Sequence, residues 1–557
     1  MRFNTIKELL NNSIEKFSNN TLYEIDGEKI TYADFKHMVD SLGTCLVNMG
    51  LKDKRIAVIG KNSMHWEVSY LSITCGTGVI VPLDKSLPFV ELESSIERSE
   101  IEAIFFDESY EEDIVKISKN GNNKLKYLIS MGEATKEGVL KKADLIKKGE
   151  ELLAEGKREF LEATIDPEAL AILLFTSGTT ANSKAVMLSN HSMCSCVSNV
   201  METLNDIGQD DTFLSFLPLH HVFEGSVGFL FPIAVGSKII FCRGVRYIAE
   251  DLRLNHITVL MCVPAVYESM YKTLRKKLEK EGKLDAIKAL EAKADAENLS
   301  LDQRKELFKF LHEAVDDNVK YLISGAAALE PEVEKGFRNW GFHLVQGYGL
   351  SEFSPVVSVE TRDNYRLSSI GRPLANVTAK IINPDSEGLG ELVVYGESKM
   401  LGYMGDDEAN AEVFSEDGGI KTGDLATIDK DGFIFIKGRK KSVIVLKNGK
   451  NVFPEEIEKA INLIPNVKES FVFGKPKSDD ITDIKLNALI VYDEEEFKDK
   501  TEEEITKHFK DIINKEINPN LPKYKHILGL VVTNEPLIKT TTGKIKRDNN
   551  LAKFINK

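Results

Sequence analysis

The sequence predicts an α/β protein: a large N-terminal domain of parallel-type sheets with helices and a small β-rich module, then a small α+β C-terminal domain. Three observations carry this. Apolar, strand-like runs alternate with helical patterns through the first 170 residues. After residue 380 the texture changes to short strands separated by turns. Beyond Gly438 a shorter α+β stretch completes the chain, so we place the domains at 1–437 and 438–557. The length, 557 residues, is itself too great for one simple domain.

The elements follow in order. Ile6, Leu9, Leu10, Ile14 and Phe17 share one side of a helix over 4–17. Residues 55–60, 78–83 and 102–107 are apolar runs of strand length, and the helical stretches between them suggest crossovers and a mostly parallel sheet. Residues 171–175 form another strand. Strand-like pieces at 259–263 and 319–323 flank a stretch, 267–316, dominated by Lys, Glu, Ala and Leu without Pro. It reads as a solvated helical excursion with no heptad register. Turns at Asn383-Pro384-Asp385 and at Asp429 to Gly432 punctuate the β-rich module.

Composition narrows the function. Lys plus Arg is 72 and Asp plus Glu is 87, a net charge of −15. An acidic chain argues against nucleic acid or an anionic membrane as the main partner. The six cysteines form no Cys-x-x-Cys pair, which argues against a disulfide scaffold or a zinc module. The N-terminus lacks a signal-type apolar core. The longest apolar stretch without a charge, 68–83, is broken by Gly76, Gly78 and Pro82. We expect a cytoplasmic protein with at most peripheral membrane contact; a homodimer is compatible with the sequence.

Five segments carry chemistry. After the strand at 171–175 come Thr176, Ser177, Gly178, Thr179 and Thr180, then Lys184. Hydroxyls and free backbone N–H groups in such a loop can cradle phosphate oxygens, and the lysine adds a point charge. A polar turn from strand to helix would look the same. The Walker pattern is absent. In Gln346-Gly347-Tyr348-Gly349-Leu350-Ser351-Glu352, the glycines allow close backbone approach and Tyr348 offers a flat face for a base. Ser351 and Glu352 offer the hard oxygens that a phosphate-bound magnesium accepts. In Lys421-Thr422-Gly423-Asp424 a carboxylate after a glycine turn can hold ribose hydroxyls. Gly438-Arg439-Lys440-Lys441 marks the change of texture, and Thr542-Gly543-Lys544 can deliver a cation from a loop.

In this order and spacing, the five segments resemble the adenylate-forming superfamily of acyl-CoA synthetases, nonribosomal adenylation domains and firefly-type luciferases. The resemblance spans about residues 5–550 and is nearest to bacterial long-chain fatty-acid–CoA ligases. Ser324-Gly325-Ala326-Ala327, Gln346 to Glu352, and Gly438 through Glu458 carry it.

The resemblance implies an acyl-CoA synthetase-like fold with a mobile C-terminal domain. It implies an acid–thiol ligase using ATP, Mg2+ and CoA on a fatty acid or other small carboxylic acid. Residues 176–184 become the phosphate loop, and Gly325, Ala326, Ala327, Gln346, Gly347 and Tyr348 flank adenine. Glu352 holds magnesium, with Thr176 a second ligand. Asp424 and Arg439 bind the ribose, Lys441 is the hinge, and Gly449 approaches CoA. Lys544 is the lysine that stabilises charge during adenylation. His221, in Leu219-His220-His221, falls near the acyl carboxylate, where a core histidine is the competing reading. Ala181, Ser183 and Ala185 depart from the family's Gly, Pro and Gly. Open alternatives are a short-chain or aryl acid, a carrier-protein acceptor, and a catalytically silent nucleotide- or lipid-binding relative.

Overall fold

Several helices begin at a capping side chain in the computed structural model, which describes residues 1–176, 183–447, 450–476, 484–539 and 545–555. Thr5 accepts from Glu8 N ahead of Ile6–Phe17, and Thr31 and Asp34 form a reciprocal capping box ahead of Tyr32–Asn48. Ser63 caps Met64–Thr74, and Ser189 with Ser192 caps Asn190–Thr203.

The chain divides into two units. The first comprises Met1–Ala379, Val394–Ile420 and Lys430–Ile434; the second comprises Lys380–Val393, Lys421–Asp429 and Phe435–Lys557. The small β-rich stretch is thus shared between them rather than belonging wholly to the first.

The first unit holds two sheets. The eight-stranded sheet runs Gly402–Tyr403, Ala185–Ser189, Leu170–Phe175, Gly78–Leu83, Lys54–Ile59, Ala103–Phe106, Tyr127–Ser130, Val139–Lys141. Its strands from Gly78–Leu83 to Val139–Lys141 are parallel, as the alternation predicts. Ala57, Ile59, Val81, Leu83, Ile104 and Phe106 are buried, which explains why these strands read as unbroken apolar runs. The nine-stranded sheet contains, in order, Leu344–Gly349, Tyr321–Ser324, Val259–Cys262, Thr212–Ser215 and Lys238–Phe241, all parallel, with Val356–Val359 antiparallel beside the first.

The strand Ala185–Ser189 pairs antiparallel with Leu170–Phe175, Phe175 opposite Ala185, so the competing reading of a turn from strand to helix does not hold. One expectation is corrected. The excursion at 267–316 is not simply solvated. It forms helices Pro264–Lys280, Leu284–Ala296, Leu301–Leu307 and Lys309–Val315, which bury Tyr267, Leu278, Ile287, Phe308 and Leu311 in one core cluster. Each such side chain contributes roughly 1.5–3 kcal/mol on burial, enough to dock the helices despite their charged outer faces.

In the second unit, Val467–Pro476 pairs antiparallel with Ile484–Tyr492, which pairs parallel with Ile527–Thr533. Helices Pro454–Asn462 and Glu502–Ile512 cover this sheet through Ile457, Ile461, Ile505 and Phe509. No helix among the described residues is long and apolar enough to cross a membrane.

Candidate active site

Strand order decides where ligands can bind. In the eight-stranded sheet, Lys54–Ile59 pairs with Gly78–Leu83 on one side and Ala103–Phe106 on the other, so the winding reverses there. In the nine-stranded sheet the same reversal occurs at Thr212–Ser215, between Lys238–Phe241 and Val259–Cys262. The crevice at the carboxyl ends of strands beside such a reversal is the usual binding place of an open α/β sheet.

Asn62, just past the first reversal, reaches the segment just past the second. Its Nδ2 donates to Ser215 Oγ at 2.9 Å and to the Leu217 carbonyl at 2.7 Å, and its Oδ1 accepts from Leu219 N at 3.1 Å. That segment carries His220 and His221, whose rings lie 4.1 Å apart. His220 Nε2 stands 3.5 Å from Asp84 Oδ1, at the end of Gly78–Leu83. The single Asn62 amide therefore fixes the two reversal points to one another.

Ser215 Oγ in turn donates to Glu224 Oε1 at 2.7 Å. Glu224 is fully buried, and burial pushes its carboxyl from the ordinary 4.5 up to about 8 despite that hydrogen bond. The folded value lies above the unfolded one. The stability this group contributes is therefore complete below pH 4.5 and is lost as pH rises through about 8. Glu224→Gln keeps the acceptor for Ser215 and stays neutral. We expect it to gain on the native chain by about 1.4 kcal/mol per pH unit between about pH 5 and 8. Urea midpoints across that range check this; parallel curves for the two proteins would contradict it.

The neck of the predicted phosphate loop is closed by its own backbone. Thr176 N donates to the Lys184 carbonyl at 2.9 Å, Lys184 N donates to Thr176 Oγ1 at 3.2 Å, and Ser183 Oγ donates to the Thr176 carbonyl at 2.6 Å. Ser183, where the family has proline, thus adds a bond that proline could not make. Ala185 lies in extended strand, so its methyl group costs no backbone strain. Ser177, Gly178, Thr179, Thr180 and Ala181 lie outside the described residues, as do Gly449 and Lys544.

Lys184 leads to Glu352 through a residue that motif reading missed. Lys184 Nζ sits 4.5 Å from the centre of the Tyr403 ring, and the Tyr403 hydroxyl donates to Glu352 Oε1 at 2.7 Å. Tyr403 is placed by the short strand Gly402–Tyr403, antiparallel to Ala185–Ser189, and Met400 N donates to the Glu352 carbonyl at 2.9 Å. Tyr403 thereby links cation and carboxylate at the loop neck. One Glu352 oxygen is held by Tyr403. A single oriented carboxylate suits magnesium, which takes one or two protein oxygens and fills its shell with phosphate and water.

Gly349 is required where it stands, because a Cβ there would lie 2.3 Å from the Pro355 carbonyl oxygen. Ser351 opens the turn Ser351–Phe353 that presents Glu352. In the other predicted flank, Ala326 has φ 69°, a left-handed conformation costing an alanine about 1–2 kcal/mol. It turns the chain sharply after Tyr321–Ser324, and Gly325 packs against Phe223. Gln346 is buried, whereas Tyr348 is half-buried.

In the second unit Asp424 and Arg439 come together, with Arg439 Nε 2.9 Å from Asp424 Oδ1. Asp424 lies within the strand Ile420–Ile428, not in a loop between strands; Gly423, at φ 71°, supplies the kink. Thr422 Oγ1 accepts from Asp424 N at 3.1 Å and donates to the Leu392 carbonyl at 2.9 Å, fixing that kink. Lys441 is exposed in the turn Lys440–Ser442.

The first unit thus carries Lys184 beside an oriented carboxylate at the neck of a strand-to-strand connection, and the second carries an Asp–Arg pair. The chain belongs to the AMP-binding enzyme family, whose model matches residues 10–404, and the model of the AMP-binding enzyme C-terminal domain matches 441–557. It is therefore an enzyme of the adenylate-forming superfamily. It is 28% identical over 504 residues to long chain acyl-CoA synthetase 4 of Arabidopsis thaliana, covering 83% of this chain and 75% of that one. It is 26% identical to the chloroplastic long-chain-fatty-acid–acyl-carrier-protein ligase AEE15 of the same plant, covering 94% and 82%. Among solved structures, ATP-bound MatB from Rhodopseudomonas palustris superposes with a TM-score of 0.75 at 24% identity over 99% and 98% of the two chains. O-succinylbenzoate coenzyme A synthetase from Bacillus subtilis, with ATP and magnesium, gives 0.74 at 19% over 97% and 98%.

Proposed function

We propose that the chain joins a long-chain fatty acid to ATP, giving acyl-adenylate and pyrophosphate, and then passes the acyl group to CoA with release of AMP. The observation that carries this is the link Lys184–Tyr403–Glu352 at the loop neck. The names of the curated relatives favour a long-chain acid, and the long helical segment 264–315 accompanies that resemblance.

The roles follow from charge. Carboxylate and triphosphate repel, so cations and oriented donors at the phosphate matter most. Residues 176–184 cradle the phosphates with Lys184 as their cation. Gly325 to Ala327, with Gly347 and Tyr348, enclose adenine, with Ser351 at the turn, and Asp424 with Arg439 takes the ribose; Gln346, whose side chain turns inward, supports them from behind. Glu352, with Thr176, is the place for Mg2+, which when bound neutralises phosphate charge. His221 lies at the acyl carboxylate, Lys544 stabilises the charge that develops during adenylation, and Gly449 approaches CoA. Residues 438–557 form the mobile domain, hinged at Lys441, that serves both half-reactions. We further propose a cytoplasmic location, with at most peripheral membrane contact when fatty acid is collected.

ATP–pyrophosphate exchange with a panel of acids tests the acid class. Palmitate should support faster exchange than acetate or benzoate. Faster exchange with benzoate or acetate would move the assignment to an aryl or short-chain ligase. Asn62→Ala should raise the KM for the acid about tenfold, since it releases the His221 segment, with little change in the KM for ATP. Equal movement of both KM values would leave Asn62 a general packing role.

A further inference from the structure

The side chain of Gln346 is buried, and its amide is fully engaged inside the protein. Oε1 accepts from Leu329 N at 3.2 Å. Nε2 donates to Glu334 Oε2 at 2.8 Å and to the Ser369 carbonyl at 3.2 Å. The amide orientation is dictated by its neighbours: Leu329 N can only donate, and the Ser369 carbonyl can only accept. The backbone of Gln346 is held as firmly. Its N–H donates to Glu360 Oε2 at 3.1 Å, and its carbonyl accepts from Glu360 N at 2.9 Å.

Both carboxyl groups have further anchors. Glu334 Oε2 also accepts from Ser368 N at 3.2 Å. Glu360 Oε1 accepts from Arg366 N at 3.2 Å and from the Ser369 hydroxyl at 2.9 Å. Burial pushes Glu334 up to about 7 and Glu360 up to about 8, so neither carries a full charge near neutrality. Two acids held part-neutral can sit in one network that two full charges would disrupt.

The network spans the two segments assigned to adenine. Leu329 follows the turn Gly325–Ala328, and Gln346 immediately precedes Gly347 and Tyr348. One side-chain amide therefore ties turn to strand. We propose that Glu334 and Glu360 are positioning residues for the nucleotide, holding Gln346 so that the 325–328 turn and the 347–348 strand keep the separation a purine needs. Gln346 then acts without touching the base, which is left to the backbone and to Tyr348. This rests on the reading that the chain uses ATP, but it names supports that reading does not include.

Exchange of donor and acceptor tests it. Gln346→Glu places a carboxylate against Glu334 and the Ser369 carbonyl. Binding of a non-hydrolysable ATP analogue to the full-length chain, followed by calorimetry, should weaken at least about tenfold. Adding Glu334→Gln restores a donor opposite the new acceptor and should recover most of that loss. Gln346→Met, similar in volume and uncharged, removes the amide without inserting charge and should weaken the analogue comparably. In the two single variants the KM for ATP should rise while the KM for the acid stays near the native value. Native affinity in Gln346→Met, or a double variant that refolds to native urea stability yet binds no better than Gln346→Glu, would overturn the proposal. Failure of the native chain to bind the analogue would instead overturn the ATP reading beneath it.

Discussion

Replacing Lys544 by alanine is expected to slow adenylate formation by about a thousandfold while leaving CoA attack on preformed acyl-adenylate near its native rate. The first half-reaction brings a carboxylate against the α-phosphate, and negative charge grows on the phosphate oxygens as the bond forms. Removing one preorganised donor or cation from such a site costs on the order of 100–1,000-fold. In the second half-reaction the CoA thiol attacks the acyl carbonyl carbon and AMP leaves, so no new bond to phosphorus forms and that cation is not required. Single-turnover assays of the two halves separate the cases. Equal loss in both would assign Lys544 to folding or to substrate binding in general.

Glu352→Gln should lower the adenylation rate by about a hundredfold at fixed magnesium and raise the magnesium needed for half-maximal rate. The structure adds a graded companion. Tyr403→Phe removes the 2.7 Å hydrogen bond that orients Glu352 but leaves the ring 4.5 Å beneath Lys184. It should therefore show a smaller shift in the same direction. Tyr403→Ala loses the ring as well and should approach Glu352→Gln. An unchanged magnesium requirement in Glu352→Gln would remove this residue from the metal site.

Much of the architecture is legible in the sequence because covered parallel strands leave an unmistakable apolar trace. The strand expected at 78–83 has those bounds in the structure, and the run at 55–60 is Lys54–Ile59. The helical excursion was legible as helix but not as core. Tyr267, Tyr271 and Leu278 keep helical spacing in Pro264–Lys280, but the residues that cover them, among them Leu252, Phe337 and Trp340, lie outside the excursion. Candidate site residues were legible where local chemistry suggests a role, as in Glu352 after its glycine strand and in Asp424 after Gly423. Tyr403 was not, because its place depends on pairing with a strand more than 200 residues earlier. Asn62 was hidden for the same reason: its meaning lies in the reversal points of two separate sheets. Glu224 left a usable signal, a lone acid inside the apolar run Phe223 to Leu230, since a carboxylate in such a run is rarely exposed and rarely idle. The segment 346–352 was read as facing a ligand throughout, whereas the Gln346 amide turns inward to Glu334.

The account stands on adenylation followed by thioesterification, and the most direct test is AMP release from ATP and magnesium with palmitate, in the presence and absence of CoA. Sustained AMP release is expected only when palmitate and CoA are both supplied, with palmitoyl-CoA formed in equal amount. Absence of AMP release across long-chain, short-chain and aromatic acids, by a folded chain with CoA present, would contradict it.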